Sequence, residues 1–471
     1  LYGQPQVGDT GPRSDTGPGS ATARLRALLD PGTCELVTVS DDAGVIAANG
    51  RIGDIDVVAF ATEPGVQGGA MGENGCQVMV GAYEKALANE CPIVGLWHSG
   101  GARLGEGVLS LHGVGRVFAM MTQASGRIPQ ISVVLGPAAG GAAYGAALTD
   151  VVILAPDGLL FVTGPDVISS STGEQVDMRS LGGMAAHDRS GVVHLYADSE
   201  QAAFGHANRL VRLLAEQGSI DPTAVEPRDL GRFLPGSATR AYDVRPLVNA
   251  VLDEPGLELH PMWARNIVTT LGRIGGRSIG VVANNPLRLA GCLDGASAEK
   301  AARFVRMCDA FGLPLVVLVD TPGYLPGMAQ EWAGVVRRGA KLLHAFAEAV
   351  VPRVSLVTRK GYGGGYIAMN ARSLGATRVY AWPGAQVSVM GGVAAVQILH
   401  RRRLAQASAE RRPGLERELA AEYDRSKGGL DLALIVGAVD RVIEPADTRA
   451  ELAAALGEFA PVRGPHNNIP L

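Results

Sequence analysis

An α/β fold built twice in tandem is what this sequence predicts, on three observations. Short apolar runs alternate with stretches of helical period, the pattern of helices layered on largely parallel strands. Aromatic residues make up only 5% of the 471-residue chain while glycine occurs 63 times, a composition suited to close backbone approach between layers. Finally, segments 222 residues apart match in kind and order. Gly50-Arg51-Ile52-Gly53 recurs as Gly272-Arg273-Ile274-Gly275, Pro64 as Pro286, Gly69 as Gly291, Pro92 as Pro314, Gly101 as Gly323 and Arg116 as Arg338. After a slip of one residue, Ile128-Pro129 pairs with Val351-Pro352 and Gly140-Gly141 with Gly363-Gly364.

Each half runs through the same elements. A hairpin carrying Gly-Arg-Ile-Gly at its turn is expected over 45–60 and over 267–282, then a helix over 75–89 and 298–311. Apolar strands at 93–97 and 315–319 end in Ser99-Gly100-Gly101 and Thr321-Pro322-Gly323. Leu104, Val108, Leu111, Phe118 and Met121 keep helical spacing, as do Trp332, Val336, Leu343, Phe346 and Val350. A further strand, 131–135 or 354–357, runs straight into a glycine cluster. The uncharged stretch 131–149 is long enough to raise a membrane span, but its Gly and Ala content and Pro137 read as a buried strand, a glycine turn and a helix start. The expected division is an N-terminal domain over 21–245 and a C-terminal domain over 246–471, with the prolines and mixed charges of 221–261 marking the connection. Residues 1–20 lack an apolar run and are rich in Gly, Pro, Ser and Thr, the composition of a disordered arm and not of a signal peptide. A cytoplasmic location follows as the expectation.

Forty-two basic against 46 acidic residues leave a net charge of −4, which excludes nucleic-acid binding by bulk charge. The five cysteines show neither CxxC nor Cys/His spacing, so no zinc ribbon or disulfide framework is expected and no metal is assigned. Walker A is absent, and no GxGxxG opens a helix after a strand. Gly276-Arg277-Ser278-Ile279-Gly280 fits the GxSxG of hydrolases, but its serine precedes an apolar strand and its repeat mate is a hairpin turn.

The clusters Ala139-Gly140-Gly141-Ala142 and Tyr362-Gly363-Gly364-Gly365-Tyr366 follow strands and lead into helices. Free N–H groups at such a helix start can hold developing negative charge, as an oxyanion hole does; close helix–sheet packing is the other reading, and the duplication favours the first. His98 has no sequence neighbour to act as its partner and reads as structural. Glu106 and Glu331 are either bases or complements to a helix dipole. Arg337, Arg338 and Lys341, like 401–403, either reach phosphates or form solvated helix faces.

Gly68-Gly69-Ala70-Met71-Gly72, His98-Ser99-Gly100-Gly101-Ala102-Arg103, Ala138-Ala139-Gly140-Gly141 and the run Phe161–Val167 (FVTGPDV) together resemble the carboxyltransferase β subunit of biotin-dependent acyl-CoA carboxylases. In the second half the resemblance rests on Asn284-Asn285-Pro286, Asp320-Thr321-Pro322-Gly323-Tyr324, Arg337-Arg338-Gly339-Ala340-Lys341, Tyr362-Gly363-Gly364-Gly365-Tyr366 and Ala381-Trp382-Pro383. It covers about residues 22–471 and, in length, is to the short actinobacterial members with acetyl- or propionyl-CoA as substrate.

The resemblance implies a crotonase-type ββα-spiral in each half. It also implies a homohexamer, a trimer of dimers whose active sites join one subunit's N-half to another's C-half. The implied partner is a biotinylated α subunit, with a small ε subunit as a further one, and neither nucleic acid nor membrane is involved. The implied reaction moves CO2 from carboxybiotin to the α-carbon of acetyl-CoA, or of propionyl-CoA, feeding fatty acid or polyketide synthesis. On this pattern Gly140 and Gly141 face biotin and Gly364 and Gly365 hold the thioester enolate. Ser99, Gly100, Gly101, Ala102, Arg103 and Tyr144 contact substrate, and Ile367 sits where the family selects the acyl chain. Gly365 replaces the family's Ala; Gln175 and Gly392 also depart from it. A biotin-dependent decarboxylase, a crotonase-type hydratase using Glu106 or Glu331, and a non-catalytic CoA- or carrier-binding scaffold are the alternatives.

Overall fold

The computed structural model describes residues 17, 19–37, 42–237 and 240–470; the expected arm therefore lies almost wholly outside the described residues. Two compact units divide the chain. The first is drawn from Leu1–Ala124, Gln130–Met184 and Tyr196–Val211, the second from Ser125–Pro129, Ala185–Leu195 and Arg212–Leu471.

The strands are β1 (Glu35–Val37), β2 (Val45–Ile52), β3 (Ile55–Thr62), β4 (Ile93–Ser99), β5 (Gln130–Ala139), β6 (Val151–Leu154), β7 (Leu159–Phe161) and β8 (Leu195–Tyr196), then β9 (Leu257–Leu259), β10 (Ile267–Ile274), β11 (Arg277–Asn284), β12 (Leu315–Thr321), β13 (Arg353–Tyr362), β14 (Arg378–Ala381), β15 (Gln386–Ser388) and β16 (Arg441–Val442). Among the described residues each sheet has eight strands. One runs β1-β2-β3-β4-β5-β6-β8 with β7 against β5; the other runs β9-β10-β11-β12-β13-β14-β16 with β15 against β13. The correspondence is strand for strand, so the internal duplication read from glycine and proline spacing holds in the topology. The antiparallel hairpins β2/β3 and β10/β11 precede parallel pairing from β3 to β6 and from β11 to β14. Every residue of β11 and β12 is buried, which is why these strands read as continuous apolar runs without alternation.

The helices Glu73–Ala88 and Gly295–Phe311 fall where expected, and the second is bounded by an Asp294/Ser297 capping box and by Gly312 in the left-handed region. The next helix of each unit has the expected spacing but divides the expected stripe between core and surface. Val108–Ala124 buries Ser110, Gly113, Val114, Val117 and Met121, leaving Leu104, Val108 and Leu111 at 81%, 75% and 65% exposure. Val335–Glu348 buries Val335, Gly339, Leu342, Ala345 and Phe346, and Trp332 and Val336 stand in the open. Small residues allow close helix–helix contact inside the unit; of the expected stripes Met121 and Phe346 face the core, while Leu104, Val108, Leu111, Trp332 and Val336 face outward.

The stretch 221–261 is not a free connection. Leu230, Tyr242, Val244, Leu247, Val248, Val251 and Leu252 belong to the buried core of the second unit. Arg449, fully buried, donates to Val251 O at 3.1 Å and pairs with Asp253 at 2.6 Å, tying the segment to the helix Thr448–Gly457. No helix among the described residues is long and apolar enough to cross a membrane; the stretch 131–149 is instead β5, a turn and a short helix.

In the second unit a buried polar cluster surrounds residues 260–267. Lys300 Nζ donates to His260 O, Trp263 O and Ile267 O at 2.9, 3.0 and 2.8 Å. The His194 and His260 rings lie 4.1 Å apart. Burial, helped by nearby Arg303, lowers His194 to about 3, and burial with the charges around it holds His260 well below the usual histidine range. Below about pH 6.5 the unfolded chain binds protons that these folded rings refuse, so stability falls with pH by up to ~1.4 kcal/mol per unit for each ring. The urea midpoint should therefore drop between about pH 7 and about pH 5, and the dependence should be shallower in His194→Gln. An equal slope in the variant would contradict this.

Candidate functional site

In the first unit β5 runs to Ala139, and Gly140, at φ 53°, turns the chain into the helix Gly141–Leu148. A side chain is strained at that angle. Its own N–H is occupied, donating to Val162 O at 3.1 Å and Phe161 O at 3.2 Å. The first backbone bond of the helix is Tyr144 N to Gly140 O; the amides of the first turn, on Gly141 and Ala142, are outside the helical ladder. In the second unit β13 ends at Tyr362, Gly363 makes the same turn at φ 56°, and the helix Gly363–Ala368 begins.

Gly363 thus matches Gly140, and the donor pairs in step are Gly141–Ala142 and Gly364–Gly365. This shifts the first expected pair by one residue, because Gly140 makes the turn and its N–H is engaged by Phe161 O and Val162 O. The signal was in the sequence, since the one-residue slip in the repeat, applied consistently, pairs Ala142 with Gly365.

Each amide pair is flanked by a loop built in the same way. Gly101 N donates to Ser99 Oγ at 3.2 Å, Gly100 N to Gly68 O at 3.1 Å, Met71 N to Gly101 O at 2.8 Å and Arg103 N to Met71 O at 2.9 Å. In the second unit Gly323 N donates to Thr321 Oγ1 at 3.2 Å, Leu293 N to Gly323 O at 3.0 Å and Leu325 N to Leu293 O at 2.7 Å. Gly69 and Gly291 sit so close beneath these loops that an added Cβ would lie 1.9 Å from His98 O and 2.4 Å from Asp320 O.

Ser99 and Gly101 are buried, Ala102 half-buried and Gly100 exposed. Tyr144 and Ile367 occupy equivalent positions one turn into their helices, at 53% and 44% exposure. A Cβ on Gly365 would lie 2.7 Å from Gly323 Cα, whereas Ala142 carries its methyl at the matching place. The second loop therefore rests directly on Gly365, which gives the departure from alanine a physical reason. Gly392 has one too: a Cβ there would lie 2.6 Å from Ala420 O and 2.7 Å from the Asp424 carboxylate. Gln175 donates to Ser169 Oγ at 2.7 Å on the surface.

Several of the charged candidates are engaged within the fold. Buried Arg103 pairs with Glu106 at 2.9 Å and donates to Asp42 O and Ala43 O at 3.1 and 3.4 Å, so its guanidinium holds a loop. Glu106 Oε2 accepts from Glu73 N at 2.6 Å. It complements a helix start, as one reading had it, but of Glu73–Ala88 and not of the helix following it. Glu331 is exposed in the short helix Met328–Trp332. Arg338 and Lys341 both clasp Glu299, at 2.6 and 2.8 Å. Ser278 is buried within β11, with no nucleophile elbow around it.

His98 has a partner that sequence neighbours could not reveal: its Nδ1 lies 3.4 Å from Arg24 Nη1, and burial together with Arg24 lowers its pKa. At the repeat position Asp320 pairs with Arg359 at 2.7 Å, and burial pushes its carboxyl upward against that pull. The sequence reading missed this pair, although the offset that relates Gly101 to Gly323 also relates His98 to Asp320.

Two α/β units, each with a strand that turns through one glycine into a helix whose first amides lie outside its ladder, are the features of an acyl-transfer class of enzyme. The carboxyl transferase domain family matches residues 33–459, and this chain belongs to that family. It is 58% identical over 453 residues to the biotin-dependent acetyl-/propionyl-coenzyme A carboxylase beta6 subunit of Mycobacterium tuberculosis (strain H37Rv), covering 95% of this chain and 96% of that one. To the propionyl-CoA carboxylase beta chain of Rhodococcus erythropolis it is 57% identical over 466 residues, 97% and 98% of the two chains. The crystal structure of transcarboxylase 12S, a hexamer assembly with methylmalonyl-coenzyme A bound, superposes with a TM-score of 0.89 at 38% identity, over 96% of this chain and 92% of that one.

If Arg103 braces a loop, Arg103→Gln should lower stability by about 2 kcal/mol while leaving the KM for an acyl-CoA within about threefold. A large rise in KM at unchanged stability would place it on the substrate instead.

Proposed function

We propose that this chain is the carboxyltransferase β subunit of an acyl-CoA carboxylase, moving a carboxyl group from carboxybiotin to the α-carbon of acetyl-CoA, with propionyl-CoA as the second substrate. The observation that carries this is the duplicated amide pair. Carboxyl transfer generates negative charge on two oxygens, one on each reactant, and each needs preorganised donors in a site shielded from water. Carboxybiotin, borne on a partner subunit, supplies the CO2 and, once that is released, the base for the α-proton.

The residues of this chain then have limited tasks. Gly141 and Ala142 hold the oxygen on the biotin side, and Gly364 and Gly365 hold the thioester oxygen. Ser99 and Thr321 fix the loops beside them, and Tyr144 and Ile367 border the two pairs. An exposed isoleucine beside the second pair suits a short acyl group, though one methylene is worth only ~1–3 kcal/mol in such a pocket. No carboxylate base is required, in keeping with Glu106 being engaged at a helix start. The exposed apolar stripes around Leu104, Val108, Leu111, Trp332 and Val336 are surfaces for neighbouring copies in a hexamer. The α subunit brings biotin, and the complex works in the cytoplasm.

Reconstitution with a biotinylated α subunit, or assay with free carboxybiotin, should yield malonyl-CoA; failure to form malonyl-CoA or methylmalonyl-CoA would end this reading. Ala142→Pro deletes one donor at a helix position that tolerates proline and should lower kcat about 10²–10³-fold with KM for acetyl-CoA little changed. Glu106→Gln and Glu331→Gln should keep most of the turnover; abolition by either would favour a hydratase-like base.

A further inference from the structure

In the second unit the groove between the start of β11 and the end of the helix Gly295–Phe311 is filled by the chain's own residues 216–221. Ser278 N donates to Gln217 O at 2.7 Å, Arg277 Nη1 to Gly218 O at 2.8 Å, Arg273 Nη2 to Glu216 O at 2.7 Å and Asp221 N to Gly275 O at 2.9 Å. Gln217 Nε2 reaches Phe311 O at the helix end, at 2.6 Å. The segment lies beside the first residues of β11, short of where β12 begins, and is recognised mainly through its carbonyls, as an added strand is.

The same groove in the first unit, between the start of β3 and the end of the helix Glu73–Ala88, is among the described residues an open cleft of about 400 Å³ lined by Thr33, Asn49, Arg51, Asp56, Lys85 and Asn89 among others. Arg51 matches Arg273 and Asp56 matches Ser278 at the 222-residue offset. The register repeats as well, Arg51 opposite Asp56 and Arg273 opposite Ser278. Val58 N points toward β4, donating to Pro92 O. Asp56 N, two residues earlier, points to the same edge, short of where β4 begins. Among the described residues, none of Glu35, Arg51, Asp56 and Lys85 makes a salt bridge. The cleft also lies at the far end of the parallel strands from Gly141: Val58, Ile93 and Gln130 align at this end, and β5 must run ten residues to reach the other, about 33 Å.

We propose that this cleft is a docking groove for an extended segment of about six residues from a partner protein. Resting on the function above, that partner is the biotin-bearing subunit. The segment sets one main-chain carbonyl on the Asp56 N–H and a second on the Arg51 guanidinium, as Gln217 and Glu216 do in the second unit, and carries an acidic side chain to Lys85, which stands where the filled groove has Met307. Docked there, it leaves the Gly141–Ala142 amide pair uncovered and anchors the partner at a fixed distance from it.

The test uses the full chain with the biotinylated subunit. Hydrogen exchange at 55–58 should slow at least tenfold on complex formation, and Arg51→Glu/Lys85→Glu should weaken assembly at least tenfold by sedimentation or calorimetry. Free-biotin-dependent decarboxylation of malonyl-CoA by that variant should stay within about twofold of wild type. Assembly of the variant as tight as wild type, or a complex without protection at 55–58, overturns the groove. So does protection already complete in the β subunit alone, which would assign the groove to the β chain itself and not to the partner. Wild type inactive with free biotin would sink the carboxyltransferase reading, whereas an active wild type with an indifferent groove sinks only this one.

Discussion

The site depends on a single backbone event, a glycine with positive φ that converts the end of a central strand into the start of a helix without an intervening loop. Gly140 and Gly363 perform it at 53° and 56°. Because the turn takes one residue, the first helical amides emerge where the sheet ends, beyond the reach of the ladder behind them and too early to be served by their own helix. Nothing else in the molecule needs to supply positive charge there. The surrounding glycines, Gly69 and Gly291 beneath and Gly101 and Gly323 beside, let neighbouring backbone come close enough to hold this geometry.

Duplication explains both the likeness and the differences between the units. The topology, the turn and the loop hydrogen bonds are copied, while the groups that brace each loop have diverged. His98 with Arg24 stands where Asp320 with Arg359 stands in the other unit. Ala142 and Gly365 differ by one methyl. Two copies of one backbone device can thus be tuned separately, as the proposed reaction, with oxyanions on two chemically different partners, requires.

Much of this was legible in the chain itself. Glycine and proline spacing exposed the repeat, and apolar runs located β4, β5, β12 and β13 to within a few residues, because buried parallel strands leave a continuous signal. The helix faces were not legible: Leu104, Val108 and Leu111 share the period of Gly113, Val117 and Met121, and periodicity alone cannot tell an inward stripe from an outward one. Nor was the role of Arg103 or Glu106, which pair with each other but whose remaining partners, Asp42 and Ala43 for the one and Glu73 for the other, lie far away in sequence. The segment 221–261 looked like a connection because prolines and charges dominate it, yet its scattered Leu and Val residues fill a core. The task of Gly140 was hidden for a simpler reason: a glycine needed for its φ looks the same in sequence as one needed for its N–H.

The contact between Gly365 and Gly323 restricts how this chain can change. Restoring a methyl at 365 requires the backbone at 321–323 to retreat first, and once that loop has retreated a glycine at 365 leaves a void. The two positions are therefore locked in an evolutionary sense: substitutions should accumulate at both together, and descendants of this sequence should rarely revert at one alone.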